Sequence, residues 1–168
     1  GNLIQRAQSI SDDTIGAIAL AWNESKDLDG GRLLAAGYND GNVAISRIPA
    51  SDDVQATGSA AIELLGMLER SSRGVTILAF SPNGQVLATG DRSGQINLWD
   101  AQSFSWFGVL EGHQRDKTLF DLAWSADGEH LLSAAGDGQV ILWDLLTLEP
   151  IHHFEGATDP LAVSYSTD

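Results

Sequence analysis

"VTILAFSPNGQVLATGDRSGQINLWD", residues 75–100, returns as "LFDLAWSADGEHLLSAAGDGQVILWD", residues 119–144, at an offset of 44 positions. Ten of the 26 aligned positions are identical without a gap: Leu78/Leu122, Ala79/Ala123, Ser81/Ser125, Gly84/Gly128, Leu87/Leu131, Gly94/Gly138, Gln95/Gln139, Leu98/Leu142, Trp99/Trp143 and Asp100/Asp144. Self-similarity at such a period marks a repeat architecture, in which a unit that cannot bury its apolar face alone buries it against the next.

Each unit divides into three runs rich in Val, Ile, Leu and Trp, at about 75–80, 85–89 and 95–99 and again at about 119–124, 130–134 and 139–143. Turn-forming clusters, "SPNG", "DRSG", "SADG" and "GDG", separate them, the pattern of short antiparallel strands. After each Trp-Asp pair a short linker leads to a fourth run, "SWFGVL" (105–110) and "PIHHFE" (150–155), so each unit is expected to be a four-stranded meander, strands a to d. A more eroded copy runs "AIALAWNESKDLDGGRLLAAGYNDGNVAISRI" (17–48), with its fourth strand in "AIELLGML" (61–68) and Ser46-Arg47 in the Trp-Asp place.

The period and the two "LWD" closures resemble the WD-repeat family. The resemblance implies an all-β fold, a β-propeller of four-stranded antiparallel WD-type blades around a channel. It divides the chain into a leading strand d at about 2–5 ("NLIQ"), blade one at 15–68, blade two at 75–110, blade three at 119–155 and the start of a next blade at 161–168 ("LAVSYSTD"). Propellers of this family have about 4 to 8 blades, so three blades and two spare strands imply about half of a larger ring. The remaining blades would come from the same protein or from another chain.

Composition narrows the partners. The formal net charge of −14, from 23 acidic against 9 basic residues, argues against nucleic acids and anionic membranes, whose binding needs clustered Lys and Arg. With no cysteine there can be no disulfide, thiolate chemistry or Cys-bearing zinc site, which fits a cytoplasmic setting. No apolar run approaches a membrane span, and a start at Gly1 reads as a cut or processed piece.

His113, Ser133 and Asp137 are the residue types of a hydrolytic triad. In WD repeats the same types, with the strand-c Trp, form a structural relay from the d–a loop across strand b to the b–c turn. Matched residue by residue, the resemblance implies that relay for His113 ("EGH"), Ser133 ("LLS"), Asp137 ("GDG") and Trp143 ("LWD"). The structural role is preferred because a buried indole N–H and a buried hydroxyl both need partners, and because no strained nucleophile turn or oxyanion donor set is recognisable. His113 is followed by five residues, "QRDKT", where the family usually has three. The second unit supplies Thr89 and Trp99 but has Ser93 at the turn Asp position and no preceding Gly-His; the first has Ala36 and Ser46 and keeps only Asp40. A full relay is expected in blade three alone.

No metal or cofactor is expected. A calcium loop starting at Asp27 in "DLDGG" would need oxygen ligands at its fifth and twelfth positions, where Gly31 and Tyr38 stand. His152 and His153 are strand neighbours that face opposite sides and cannot share a metal. Neither GxxxxGK[ST] nor a GxGxxG after a strand is present.

Charge is placed unevenly. In this architecture the d–a and b–c loops share one face, which receives Arg6, Arg70, Arg73, Arg92, Arg115 and Lys117, six of the nine basic residues. The opposite face receives Glu24, Asp27, Asp29, Asp52, Asp53, Asp127 and Glu129. Arg is enriched at interface hot spots, so Arg70, Arg73, Arg92 and Arg115, with Lys117, form the expected contact patch. Trp106 on the rim strand is a second contact candidate, with packing inside its own blade as the competing role. The expected function is a non-catalytic scaffold or sensor for other proteins or peptides. Two alternatives are the regulatory end of a signalling enzyme, such as a WD-repeat NTPase or kinase, and a hydrolase using His113, Ser133 and Asp137.

Overall fold

The turns of the second and third repeats are so short that consecutive strands pair with one another, and every repeat, the first with its longer connections included, closes into one antiparallel sheet. A computed structural model describes residues 16–25, 30–50, 62–71, 73–154 and 160–166. Blade one contains β1 (Ala17–Trp22), β2 (Arg32–Tyr38), β3 (Asn42–Ile48) and β4 (Glu63–Glu69). Blade two contains β5 (Val75–Phe80), β6 (Val86–Asp91), β7 (Ile96–Asp100) and β8 (Trp106–Leu110). Blade three contains β9 (Leu119–Trp124), β10 (His130–Ala135), β11 (Val140–Asp144) and β12 (Glu149–Phe154). Strand order follows chain order in every sheet, and no helix occurs among the described residues. The expected strand at 2–5, Arg6, and the acidic residues Asp27, Asp29, Asp52 and Asp53 lie outside the described residues.

The repeated serine builds the a–b turns. Ser81 Oγ accepts the Val86 N–H at 3.0 Å and donates to Asn83 at 2.7 Å; Ser125 Oγ accepts the His130 N–H at 2.9 Å and donates to Asp127 at 2.6 Å. The Asp of each "LWD" builds the c–d turn. Asp100 accepts the N–H groups of Gln102 and Ser103, and Asp144 those of Leu146 and Thr147. The Ser103 N–H, and the Thr147 N–H in the other turn, hold these carboxyls below the usual range. Both turns end on a residue with positive φ, Phe104 (60°) and Leu148 (61°), which aims its side chain back at the preceding blade's outer strand. A glycine receives it there: Leu148 reaches Gly108, and Phe104 reaches Gly66.

The core lies between blades rather than within them. Ala19, Ala21, Ala35, Val43, Ile45 and Leu68 of blade one pack with Val75, Leu78, Leu87 and Trp99 of blade two. Ala88, Ile96, Leu98 and Leu110 of blade two pack with Leu119, Leu122, Leu131, Ala135, Ile141 and Trp143 of blade three. Period-2 alternation then puts Leu20 (66% exposed) and Trp22 (37%) of β1 on the face away from blade two. Polar bonds register the seams: Asn23 Nδ2 donates to Gly84 O, Thr76 Oγ1 to Leu119 O, and Trp124 Nε1 to Ala79 O. Residues 160–166 run beside blade three without joining a ladder, and the Val163 N–H donates to the Asp121 carboxylate at 2.8 Å.

Candidate functional site

His113, Ser133, Asp137 and Trp143 come together in one hydrogen-bonded chain at the seam of blades two and three. Trp143 Nε1 donates to Ser133 Oγ at 2.8 Å, Ser133 Oγ lies 2.7 Å from His113 Nε2, and His113 Nδ1 lies 2.9 Å from Asp137 Oδ2. Burial, partly offset by Asp137, lowers the His113 pKa, so the ring is neutral at pH 7. For Asp137 burial acts upward, but the Gln114 and Gln139 N–H groups and His113 outweigh it, and the carboxyl is lowered and ionised. An ionised carboxylate can only accept, so Nδ1 carries the proton and donates to Asp137. Nε2 is then an acceptor for the Ser133 hydroxyl, whose oxygen in turn accepts from Trp143. The donors thus run in one consistent direction, from Trp143 through Ser133 and His113 to Asp137.

Local sequence explains the placement. A Cβ on Gly112 would lie 2.7 Å from the Trp143 ring, so the glycine of "EGH" lets the loop cross over the indole. The two extra residues after His113 are taken up in a turn: Lys117 N donates to Gln114 O, Asp116 adopts φ 63°, and its N–H reaches Ser93 O at 3.0 Å. His113 therefore keeps its position despite the insertion.

The constellation has the order of a Ser-His-Asp triad, but it is sealed. Ser133 is fully buried, the His113 and Asp137 side chains are shielded from solvent, and the serine oxygen already holds an indole N–H.

Blade two solves the same problem differently. Trp99 Nε1 donates to Thr89 Oγ1 at 3.1 Å, and Ser93 replaces the turn aspartate. The sequence pattern did not single out Asp91, two residues earlier and 2% exposed. Its carboxylate accepts from the Ser93 N–H and hydroxyl, the Gln95 N–H, and the Ser71 hydroxyl of the d–a loop. "DRSG" does carry the signal of an aspartate that caps its own turn, but Ser71 is joined to it only by the fold. In blade one Asp40 merely holds the Asn42 amide and side chain at an exposed turn.

The basic residues divide into two groups. Arg70 stacks on the Trp106 ring, 3.7 Å from its centroid, while Trp106 Nε1 donates to Asn97 Oδ1 at 3.2 Å. Arg70 and Trp106 thus form one cation–π pair that joins the ends of two blades. Arg73 lies 2.8 Å from the Asp116 carboxylate, with both side chains more than half exposed. Arg92, Arg115 and Lys117 are exposed on loops tied to the frame by the bonds Arg92 N to Gly74 O and Asp116 N to Ser93 O. His152 and His153 part as strand neighbours must: His153 meets Gln139 at 3.2 Å and His152 meets the Phe154 ring edge-on.

Residues 62–100 and 105–144 each match the family model of the WD domain, G-beta repeat. Both matches begin at an outer strand, β4 or β8, and end at the "LWD" strand of the following blade, so one sequence repeat interlocks two sheets. Residues 62–100 and 105–144 are thus two repeats of the WD-repeat family.

Proposed function

We propose that this chain is a non-catalytic docking platform for proteins or peptides, with Arg92, Arg115 and Lys117 as its principal contacts and the His113 relay as a brace. Repeats of this family generally mediate protein–protein interaction. The observation that carries the finer reading is the fixing of three exposed cations on loops hydrogen-bonded to neighbouring loops, in a molecule whose net charge is −14. Loops already ordered lose little entropy when a partner binds, and a local basic patch steers acidic partners toward one face. Arg73 joins them through its ion pair with Asp116, the neighbour of Arg115, whereas Arg70 is engaged by Trp106. The apolar surface at Leu20, Trp22 and Phe120 is where further blades would pack, in cis or from another chain.

A photo-crosslinking side chain at position 115 tests the reading, with one at the exposed position 102 on the other face as control. Adducts formed from position 115 and competed by added unlabelled chain are the expected outcome. Adducts formed from position 102 alone would overturn it.

A further inference from the structure

The groove between blades two and three, on the side of the a–b and c–d turns, carries chemistry that neither the relay nor the basic loops use. It encloses 460 Å³ between Phe107, Trp124, Glu129, Asp144, Leu145 and Leu146. The repeat supplies an internal control. The equivalent groove between blades one and two encloses 510 Å³ and has Leu65, Gln85, Asp100, Ala101 and Gln102 at the places of Phe107, Glu129, Asp144, Leu145 and Leu146.

Because that first groove folds with glutamine at 85 and 102, the backbone requires neither Glu129 nor Leu146. Leu146 is nonetheless 92% exposed and Phe107 47% exposed. The Leu146 and Thr147 N–H groups are held by Asp144, so Leu146 is presented from an ordered turn. Apolar side chains held out in water gain when a partner covers them. The carboxylates Glu129 and Asp144 line it beside the imidazole of His130, Asp127 sits in the same turn as Glu129, and no lysine or arginine lines it among the described residues.

We propose that this groove docks an extended segment of a partner protein carrying Arg or Lys beside a large apolar residue. The apolar residue packs on Phe107, Trp124 and Leu146, and the cation lies against Glu129 and Asp144. The surface is separate from the basic loops and selects partners of the opposite charge, so the two surfaces fail or succeed independently.

The probe is a fluorescein-labelled peptide, acetyl-Ala-Leu-Arg-Leu-Arg-Ala-amide, titrated with the full chain and read by fluorescence anisotropy. Its counterpart has Glu in place of both Arg. Leu146→Gln, Glu129→Gln and Phe107→Leu each copy the residue of the first groove, and thermal midpoints are recorded alongside. Saturable binding of the basic peptide is expected, weakened at least about fivefold by Leu146→Gln and by Glu129→Gln, and unaffected by Arg115→Glu. Salt should weaken binding to wild type more than to Glu129→Gln. Should either glutamine variant lower the midpoint, Phe107→Leu is read in its place. Absence of saturable binding, equal binding of the Glu counterpart, or unchanged affinity in folded variants would each overturn the proposal.

Discussion

The Ser71 hydroxyl donates to the Asp91 carboxylate at 2.6 Å, joining the d–a loop to the b–c turn of blade two as His113 and Asp137 join them in blade three. The two blades keep the connection and change the residues that make it. Asp91 is buried and serves four donors, so Asp91→Ala should cost about 2–3 kcal/mol in urea unfolding, from donors left unpaired. Adding Ser93→Asp, which restores the aspartate position of blade three, should recover part of the loss. A double variant no more stable than Asp91→Ala would show that the two positions are not equivalent.

Ser133 supplies one oxygen to two buried partners, Trp143 and His113. Ser133→Ala is expected to destabilise the chain by about 2–3 kcal/mol, whereas Ser133→Thr, which copies Thr89 of blade two, should lose less than half of that. A catalytic Ser133 would give the opposite pattern: p-nitrophenyl acetate hydrolysis lost in Ser133→Ala with the midpoint unmoved.

The relay also fixes a pH dependence. Folding lowers the His113 pKa below the ordinary 6.5, so the unfolded chain binds the extra proton more readily in that window. The contribution is whole above about pH 6.5 and is lost as pH falls toward the depressed folded value. Asp137, lowered from 3.8, adds a second loss on further acidification, again in the direction of unfolding. The expected melting curve therefore falls from pH 7 to 5, and His113→Gln should flatten that portion while lying lower at pH 7.

Two glycines that look alike in the sequence should respond differently. Gly94 has φ 87°, and a Cβ there would stand 2.8 Å from the backbone oxygen of Gln114, so Gly94→Ala should cost at least about 2 kcal/mol. At Gly108 the atom met is the movable Leu148 Cδ1, at 2.7 Å, and Gly108→Ala should cost less than about 1 kcal/mol. Equal midpoint shifts would contradict the packing described at one of the two sites.

The strands of blades two and three were legible because Ser, Gly and Asp mark their turns at repeated positions, and the same residues now cap those turns. His113, Ser133, Asp137 and Trp143 could be matched because each sits at a fixed offset from a strand. Ser71–Asp91 could not, because a serine 20 residues upstream has no spacing that identifies it. Arg70 and Trp106 were both singled out, but as separate contacts; only the fold, which sets the end of blade one beside blade two, places one on the other. The different chemistry of the two rim grooves also escaped a reading of single positions, since it emerges only when Leu65 and Phe107, or Gln102 and Leu146, are seen in equivalent walls.

Affinity for an identified partner, measured by calorimetry for wild type and for the triple variant Arg92→Glu, Arg115→Glu, Lys117→Glu, tests the docking platform most directly. All three cations are exposed surface residues, so the melting midpoint should stay within a few degrees. Binding weakened at least about tenfold in the variant, with a smaller salt dependence than wild type, is the expected result. An unchanged affinity and salt dependence in a fully folded variant would contradict it.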